Sequence, residues 1–480
     1  NYTIYERLNL ETKGALNFIR GTEPDRRSNE YLIRNGETRP NTNSDGTNER
    51  YFSKLQENDY AAKGKLTYKL KENQDDKSTL DFGVDYRYTE RLFAATIFNH
   101  RFTGNGAIID IENPDAVFNQ DGIDTNIFSL TSLNVKASNP NVIVPFTYRG
   151  KRLVSGAFTN IAYQFSDHLF ISGGLKFEKS EQRVTYATNI GKSTVDGPST
   201  INKSYILPSI NVKYMMNEDN IIRFAASQTY TYPQFKETAP FKYQDINFAS
   251  QGYPDLNPSD NYNVDAKYEH YFSSNELITV TGFYKYILNP ISRSEISSAG
   301  NTLTYLNVGD NASIFGIELE ARKNILKSGD TAENEYSLNV GINASYLNSK
   351  VNLDSNSIAQ FQQASSELEG ATPFLMNADL SFNKKYKNNE FRSTIVLNYF
   401  SDRVFSIGTR GFENIIEKGI PTLDLVSSYQ LNKKYRFNLK ATNLLNPSFQ
   451  LSRNTASGST VMLSNYKKGV TLSLSVSYDF

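Results

Sequence analysis

The chain has 480 residues, with 51 Lys plus Arg against 51 Asp plus Glu, a balance that lacks the basic footprint of a nucleic-acid binder. Hydrophobic residues make up only 38%, mean hydropathy is −0.52, and no apolar run reaches the ~18 residues of a membrane-spanning helix, so helical membrane proteins are excluded. Cysteine is absent, which removes disulfides and thiolate chemistry, while 31 Tyr and 30 Phe are too many for a disordered chain.

From the N-terminus, Asn1-Tyr2-Thr3-Ile4-Tyr5 has neither a basic leader nor an apolar signal core and reads as the middle of a strand. The expectation is a chain that begins inside a larger structure. Period-two alternation then recurs near 3–19, 55–70, 78–98, 151–166, 169–188, 204–216, 220–231, 262–272, 276–291, 313–325, 336–346, 373–386, 391–401, 421–431, 435–445 and 470–480. That makes about sixteen strands. The last is the clearest: Val470, Leu472, Leu474, Val476, Tyr478 and Phe480 share one face, and Thr471, Ser473, Ser475, Ser477 and Asp479 share the other.

Connections alternate in length. Ser166-Asp167-His168, Asn217-Glu218-Asp219-Asn220, Ser273-Ser274-Asn275, Lys387-Asn388-Asn389 and Asn432-Lys433-Lys434 are tight polar turns. Between them run long links near 20–50, 99–150, 232–259, 351–372, 402–419 and 446–464, far above the usual ~4 to 6 residues. Short turns on one rim and long loops on the other predict an all-β, transmembrane, antiparallel up-and-down barrel, because every backbone group in hydrocarbon must be paired. Lipid takes the apolar face, and Tyr5, Tyr68, Tyr86, Tyr88, Tyr163, Tyr214, Tyr230, Tyr346, Tyr399 and Tyr429 are expected in interfacial girdles. A soluble β-sandwich or propeller also alternates, but the long strands, the paired loop lengths and the lack of a blade repeat argue against it.

The terminal alternation ending on Phe480, with Tyr478 two residues before it, resembles the signal read by the outer-membrane barrel assembly machinery. TYTYPQFKETAPF at 229–241, GYPDLNPSDNYNVDAKYEHYF at 252–272, FYKYILNPI at 283–291, FGIELEARKN at 315–324 and FNLKATNLLNPSF at 437–449 together resemble the β-barrel of TonB-dependent outer-membrane receptors, across essentially the whole chain. The resemblance implies active import of a scarce nutrient through a bacterial outer membrane, with lipid around the barrel and energy from a TonB-type partner. It also implies extracellular long loops and a periplasmic C-terminus. Such barrels have about 22 strands around a plug, so residues 1–480 are expected to be the last sixteen strands, with the plug, the first strands and the energy-coupling segment upstream. Among relatives' ligands, iron-siderophore complexes are weakly favoured. A passive sixteen-stranded channel and a soluble carbohydrate-binding β protein are the alternatives.

The polar face carries mixed charges expected to line a filled lumen: Lys176, Glu178, Arg223, Asp265, Lys267, Glu269, Glu318, Glu320, Arg322, Asp424, Arg436 and Lys440. Ligand contacts are expected on the long loops, where aromatic and Arg anchors concentrate. Tyr230, Tyr232, Gln234, Phe235, Tyr243, Tyr253, Arg403 and Arg410 meet that description, and Pro233, Pro240, Pro254 and Pro258 are expected to stiffen the same loop. His100, expected in a loop, His168, in a turn, and His270, on a strand, share no ligand spacing, and no catalytic motif is present, so neither metal site, cofactor nor enzymatic activity is assigned.

Overall fold

The computed structural model describes residues 2–478 apart from 6, 43–47, 72–76, 105–106, 133–134, 137–138, 191–192, 245–247, 297–301, 332–333, 356–358, 362, 410 and 456–457. Sixteen long strands follow one another as an antiparallel meander. They are β1 (Leu8–Asn29), β2 (Asn48–Lys69), β3 (Thr79–Phe102), β4 (Phe146–Gln164), β5 (Leu169–Ile190), β6 (Ser193–Met215), β7 (Asn220–Thr231) and β8 (Ser259–Ser273). The order continues with β9 (Glu276–Leu288), β10 (Asn311–Thr331), β11 (Asn334–Asn352), β12 (Phe374–Tyr386), β13 (Asn389–Phe400), β14 (Ile420–Leu431), β15 (Tyr435–Thr442) and β16 (Thr471–Tyr478). Each pairs with its sequence neighbours, and a short strand, Tyr2–Tyr5, pairs with the start of β1. Each of the sixteen alternating segments read from the sequence falls on one of these strands.

The two faces separate by alternation. Leu472, Leu474 and Val476 of β16 are 70%, 82% and 66% exposed, and across the ladder they meet Ala441, Leu439 and Phe437 of β15. Their row continues around the sheet through exposed Phe315, Ile317 and Leu319 of β10 and Leu175 and Phe177 of β5. So much apolar side chain facing outward, with no second layer over it, is the pattern of a lipid-facing wall. Among the described residues no helix is long and apolar enough to cross a membrane.

β1, β2, β3, β5 and β6 run 22 to 24 residues, roughly twice the ~9 to 11 a tilted strand needs to cross a bilayer. The surplus rises on the long-loop side. It explains two differences from the sequence reading. The loop expected over 20–50 is strand as far as Asn29, and β6 starts at Ser193 rather than near 204. Apolar alternation registers contact with lipid, and these extensions keep backbone pairing without that contact. His100, expected in a loop, likewise sits in β3 opposite Leu130 of a short strand, Phe128–Ser132.

At the long-loop rim the connections fold into small sheets, two of them four-stranded. One joins Lys242–Gln244, Ala249–Gln251, Thr302–Asn307 and Ile291–Ile296. The other joins Arg403–Ser406, Ile415–Glu417, Ser448–Asn454 and Thr460–Lys467. Here the chain buries its largest apolar cluster, built on Leu306, Val308, Val351, Leu368, Val404 and Ile407. The barrel wall is therefore a scaffold, and the packed core belongs to the loops.

Candidate ligand-binding vestibule

The loop after β7 is fixed to the inner wall of β5 and β6 by side chains that reach its carbonyls. Gln182 Nε2 donates to the Pro233 carbonyl at 3.1 Å, Thr188 Oγ1 to that of Pro240 at 3.2 Å, and Ser199 Oγ to that of Pro254 at 2.5 Å. Proline has no N–H but keeps its acceptor, so these positions fasten the loop as well as restrict it. Pro233 and Pro258 are among the fully buried side chains. A one-turn helix, Phe235–Thr238, follows, its start closed by reciprocal bonds between Gln234 and Glu237.

The expected ligand contacts divide into three groups. Tyr230, Tyr232 and Phe235 are packing anchors. Tyr230 lies flat on Tyr205 at 4.0 Å between ring centres and its hydroxyl donates to Glu178, so it faces inward and is no part of an outer aromatic girdle. Tyr232 is buried and donates to the Ser180 carbonyl at 3.0 Å, while Phe235 is buried against Tyr148 and Val184. Tyr253 packs on the large loop cluster, and Arg403 pairs with Glu417 at 2.8 Å over the Phe400 ring. Gln234 lines, with Phe235, a cavity of about 140 Å³ beside Arg87, Arg91 and Arg152. Tyr243 alone of the eight opens on a larger cavity, and Arg410 lies outside the described residues.

That cavity, about 620 Å³, is roofed by four loops and lined by Lys236, Tyr243, Phe248, Arg293, Phe405 and Tyr466 among others. Five aromatic rings, Tyr305 included, surround two cations. Lys236 Nζ stands 4.8 Å above the Tyr243 ring, and Arg293 stands 4.1 Å above Phe405 while pairing with Glu369 through both its backbone N–H and its guanidinium. Burial raises the Tyr305 hydroxyl above its ordinary value and does the same to the Glu237 carboxyl, which Glu369 raises further. A volume of this size, aromatic walls and cationic tips suit a ligand with planar, anionic groups. The sequence marked Tyr243 but missed Arg293, Tyr305 and Tyr466. Nothing in the alternation shows that Ala249–Gln251 and Thr302–Asn307 pair in parallel, which is what closes the cavity.

The twelve charged residues read onto the polar face all project from the face opposite Leu474, Phe177 and Ile317, by the register of their strands. Some neutralise one another. Lys176 pairs with Asp85 at 3.0 Å and with Glu178; Glu269 takes Arg223 at 3.0 Å and Lys267 at 3.4 Å; and Arg322 meets Glu320 at 2.7 Å. Asp424 accepts from the Asn443 backbone. Asp265, Glu318, Arg436 and Lys440 share that face without a charged partner among the described residues. His168 and His270 are held by the Met215 carbonyl and Asn220, and His100 packs between Phe118 and Phe128. Among the described residues no group of three or more His, Asp or Glu is placed to hold a metal ion. Phe480 lies outside the described residues, and Tyr478 ends β16 against Tyr435 at 4.9 Å.

A long-stranded antiparallel meander with a lipid-type outer face and a roofed vestibule defines an outer-membrane-type β-barrel. The chain matches the TonB-dependent receptor-like β-barrel family over residues 2–444 and belongs to it. Among solved structures it resembles the siderophore receptor PiuA from Acinetobacter baumannii, at 14% identity and a TM-score of 0.61 over 99% of this chain and 62% of that one. It also resembles the ferric yersiniabactin uptake receptor FyuA from Yersinia pestis, at 13% identity and 0.59 over 98% and 61%. The copper transporter OprC matches at 12% identity and 0.59 over 99% and 64%. These identities carry the fold alone, and the chain spans less than two thirds of each of these receptors. No curated protein matches.

Proposed function

We propose that residues 1–480 form the translocation body of an outer-membrane receptor that captures a scarce metal chelate at its long-loop rim and imports it with energy from a TonB-type partner. The long loops then face the outside and the short turns, with Tyr478, the periplasm. The barrel family supports transport, and the resemblance to siderophore receptors and a copper transporter supports a metal-bearing cargo. The observation that carries the ligand class is the vestibule, whose rings and paired cations favour a planar, anionic chelate over a neutral sugar. The inward charges would then border the path the cargo takes past a plug.

Uptake of isotope-labelled iron chelates into cells that carry or lack the energy-coupling partner tests this reading. The expected result is uptake of one chelate class that needs the partner and falls at least about fivefold in a Tyr466→Ala, Phe405→Ala double variant. Removing two ring contacts costs about 0.5 to 1.5 kcal/mol each. Uptake that persists without the partner makes the protein a passive channel.

A further inference from the structure

We infer that residues 107–128 form an acid-released clasp over the long-loop end of β1, β2 and β3, with a caged His100 as the group on which acid acts. Alternation puts His100 on the outward face of β3, in line with Val84 and Leu92 but well beyond them on the long-loop side. There the returning chain covers it. Phe128–Ser132 pairs with the end of β3, which sets Leu130 opposite His100 and Phe128 opposite Phe102. Phe118 and Phe128 stand 5.0 and 5.1 Å from the His100 ring, and Phe102 stands 5.6 and 5.8 Å from the same two, so three phenyl rings close round one imidazole. The packing is close: a Cβ on Gly122 of the one-turn helix Gln120–Asp124 would lie 2.8 Å from the Phe128 ring. The segment also holds its neighbours. Buried Ile109 donates its N–H to the Thr38 carbonyl at 2.9 Å, which ties in the hairpin of Tyr31–Arg34 with Glu37–Pro40, and Asp115 meets Arg27 of β1 at 3.1 Å.

The cage suits a neutral ring. His100 Nδ1 is buried with no hydrogen-bond partner among the described residues. A neutral imidazole can leave one nitrogen as a bare acceptor, whereas the imidazolium carries donors on both and would here bury a charge among phenyl rings. The charged groups around it do not offset that cost. Arg50 faces it from β2, and Arg27 and Asp25 from β1, but Asp25 is already taken by Arg50 at 2.9 Å and by Arg27 at 3.2 Å. The covering segment brings Asp110, Glu112, Asp115, Asp121 and Asp124, of which Asp115 is paired with Arg27; Phe128–Ser132 brings none, and Arg101 of β3 alternates to the opposite face. Burial lowers the ring's pKa below the ordinary histidine value; a bond to the Asn48 backbone opposes it, Arg50 and Arg27 add to it, and Asp25 opposes them. The undocked segment thus takes up the proton more readily than the docked one. Docking is full above the ordinary histidine value and is lost as pH falls from it to the lowered one.

The test is hydrogen exchange of the detergent-purified protein, with protection taken relative to the intrinsic rate at each pH. From about pH 7.5 to about pH 5, protection of 118–131 is expected to fall at least about fivefold, with the hairpin over 31–40 following it, while β5 and β6 stay level. His100→Phe, which completes the cage with a fourth phenyl ring, and His100→Gln, which keeps a neutral polar side chain, are both expected to dock at neutral pH and to show no fall. Asp115→Asn, which breaks the exposed ion pair and leaves the cage, is expected to keep it. In histidine-labelled protein the His100 ring resonance is expected to titrate across the same window as the exchange. A level native profile, a fall that persists in both His100 variants, its loss in Asp115→Asn, or an equal fall in β5 and β6 overturns the clasp. So does a His100 ring that stays neutral while the segment is released, whichever variants dock.

Discussion

Glu295 and Arg453 stand 158 positions apart in sequence and meet in a two-pronged ion pair, 2.8 and 3.2 Å, with both side chains less than a tenth exposed. The Thr409 hydroxyl donates to the Glu295 carbonyl, and the Arg453 guanidinium lies over Phe412, so three segments converge on the pair. Isolating one buried charge costs about 3 to 5 kcal/mol, whereas replacing both by apolar side chains is often neutral. Arg453→Met is therefore expected to make the loop sheets labile, read as faster hydrogen exchange over 403–417, and Glu295→Met with Arg453→Met to restore protection. Glu237 gives a pH counterpart. Burial, and then Glu369, raise its carboxyl in the folded loop while its backbone bond to Gln234 opposes them. The folded loop holds this proton more tightly than the unfolded one, so stability is full below the ordinary carboxylate range and declines as pH rises through the raised value. Protection of 232–241 against hydrogen exchange, taken relative to the intrinsic rate at each pH, is expected to fall across that window in the native protein and to stay level in Glu237→Gln, whose amide oxygen keeps the cap.

At the level of elements, Gly150 shows how strand and loop are matched. A Cβ there would stand 2.4 Å from the Phe235 ring, so glycine makes the recess that receives the loop helix. Gly150→Ala is expected to displace Phe235 at a cost of about 1 to 3 kcal/mol, visible as protease cutting within 232–258 while the barrel keeps its melting behaviour. Such matches mark what a sequence read by period conceals. The sixteen strands were legible because hydrocarbon enforces alternation on every crossing, as in Val470 to Tyr478. The extensions at Arg20–Asn29 and Ser193–Ser204 were not, since pairing above the membrane imposes no apolar rule. The site was legible only as a region. Tyr232 and Phe235 have the composition of ligand anchors and serve as loop packing, while Arg293 and Tyr466 sit on hairpins whose place at the cavity is set by longer-range pairings, of Ala249–Gln251 with Thr302–Asn307 and of Ile415–Glu417 with Ser448–Asn454, that no local pattern encodes.

For the whole molecule, the assignment of the two rims predicts that protease added to intact cells cuts within 103–127 and spares 432–434; the reverse pattern inverts the orientation. The outer wall admits a sharper test on β16. Leu474 is 82% exposed, and Ser473 beside it points to the opposite face, level with Lys440. If hydrocarbon bathes the Leu474 row, Leu474→Lys places an ammonium in lipid at a cost of about 2 to 4 kcal/mol near the midplane, while Ser473→Lys faces the lumen and costs little. In water the order reverses, because an exposed leucine on a soluble surface loses nothing on becoming lysine and gains solubility. Urea unfolding in lipid vesicles is expected to show a lowered midpoint for Leu474→Lys and a near-native one for Ser473→Lys. Equal midpoints would mean that no lipid touches this wall, and the exposed rows of β5 and β10, which share its face, would need another explanation.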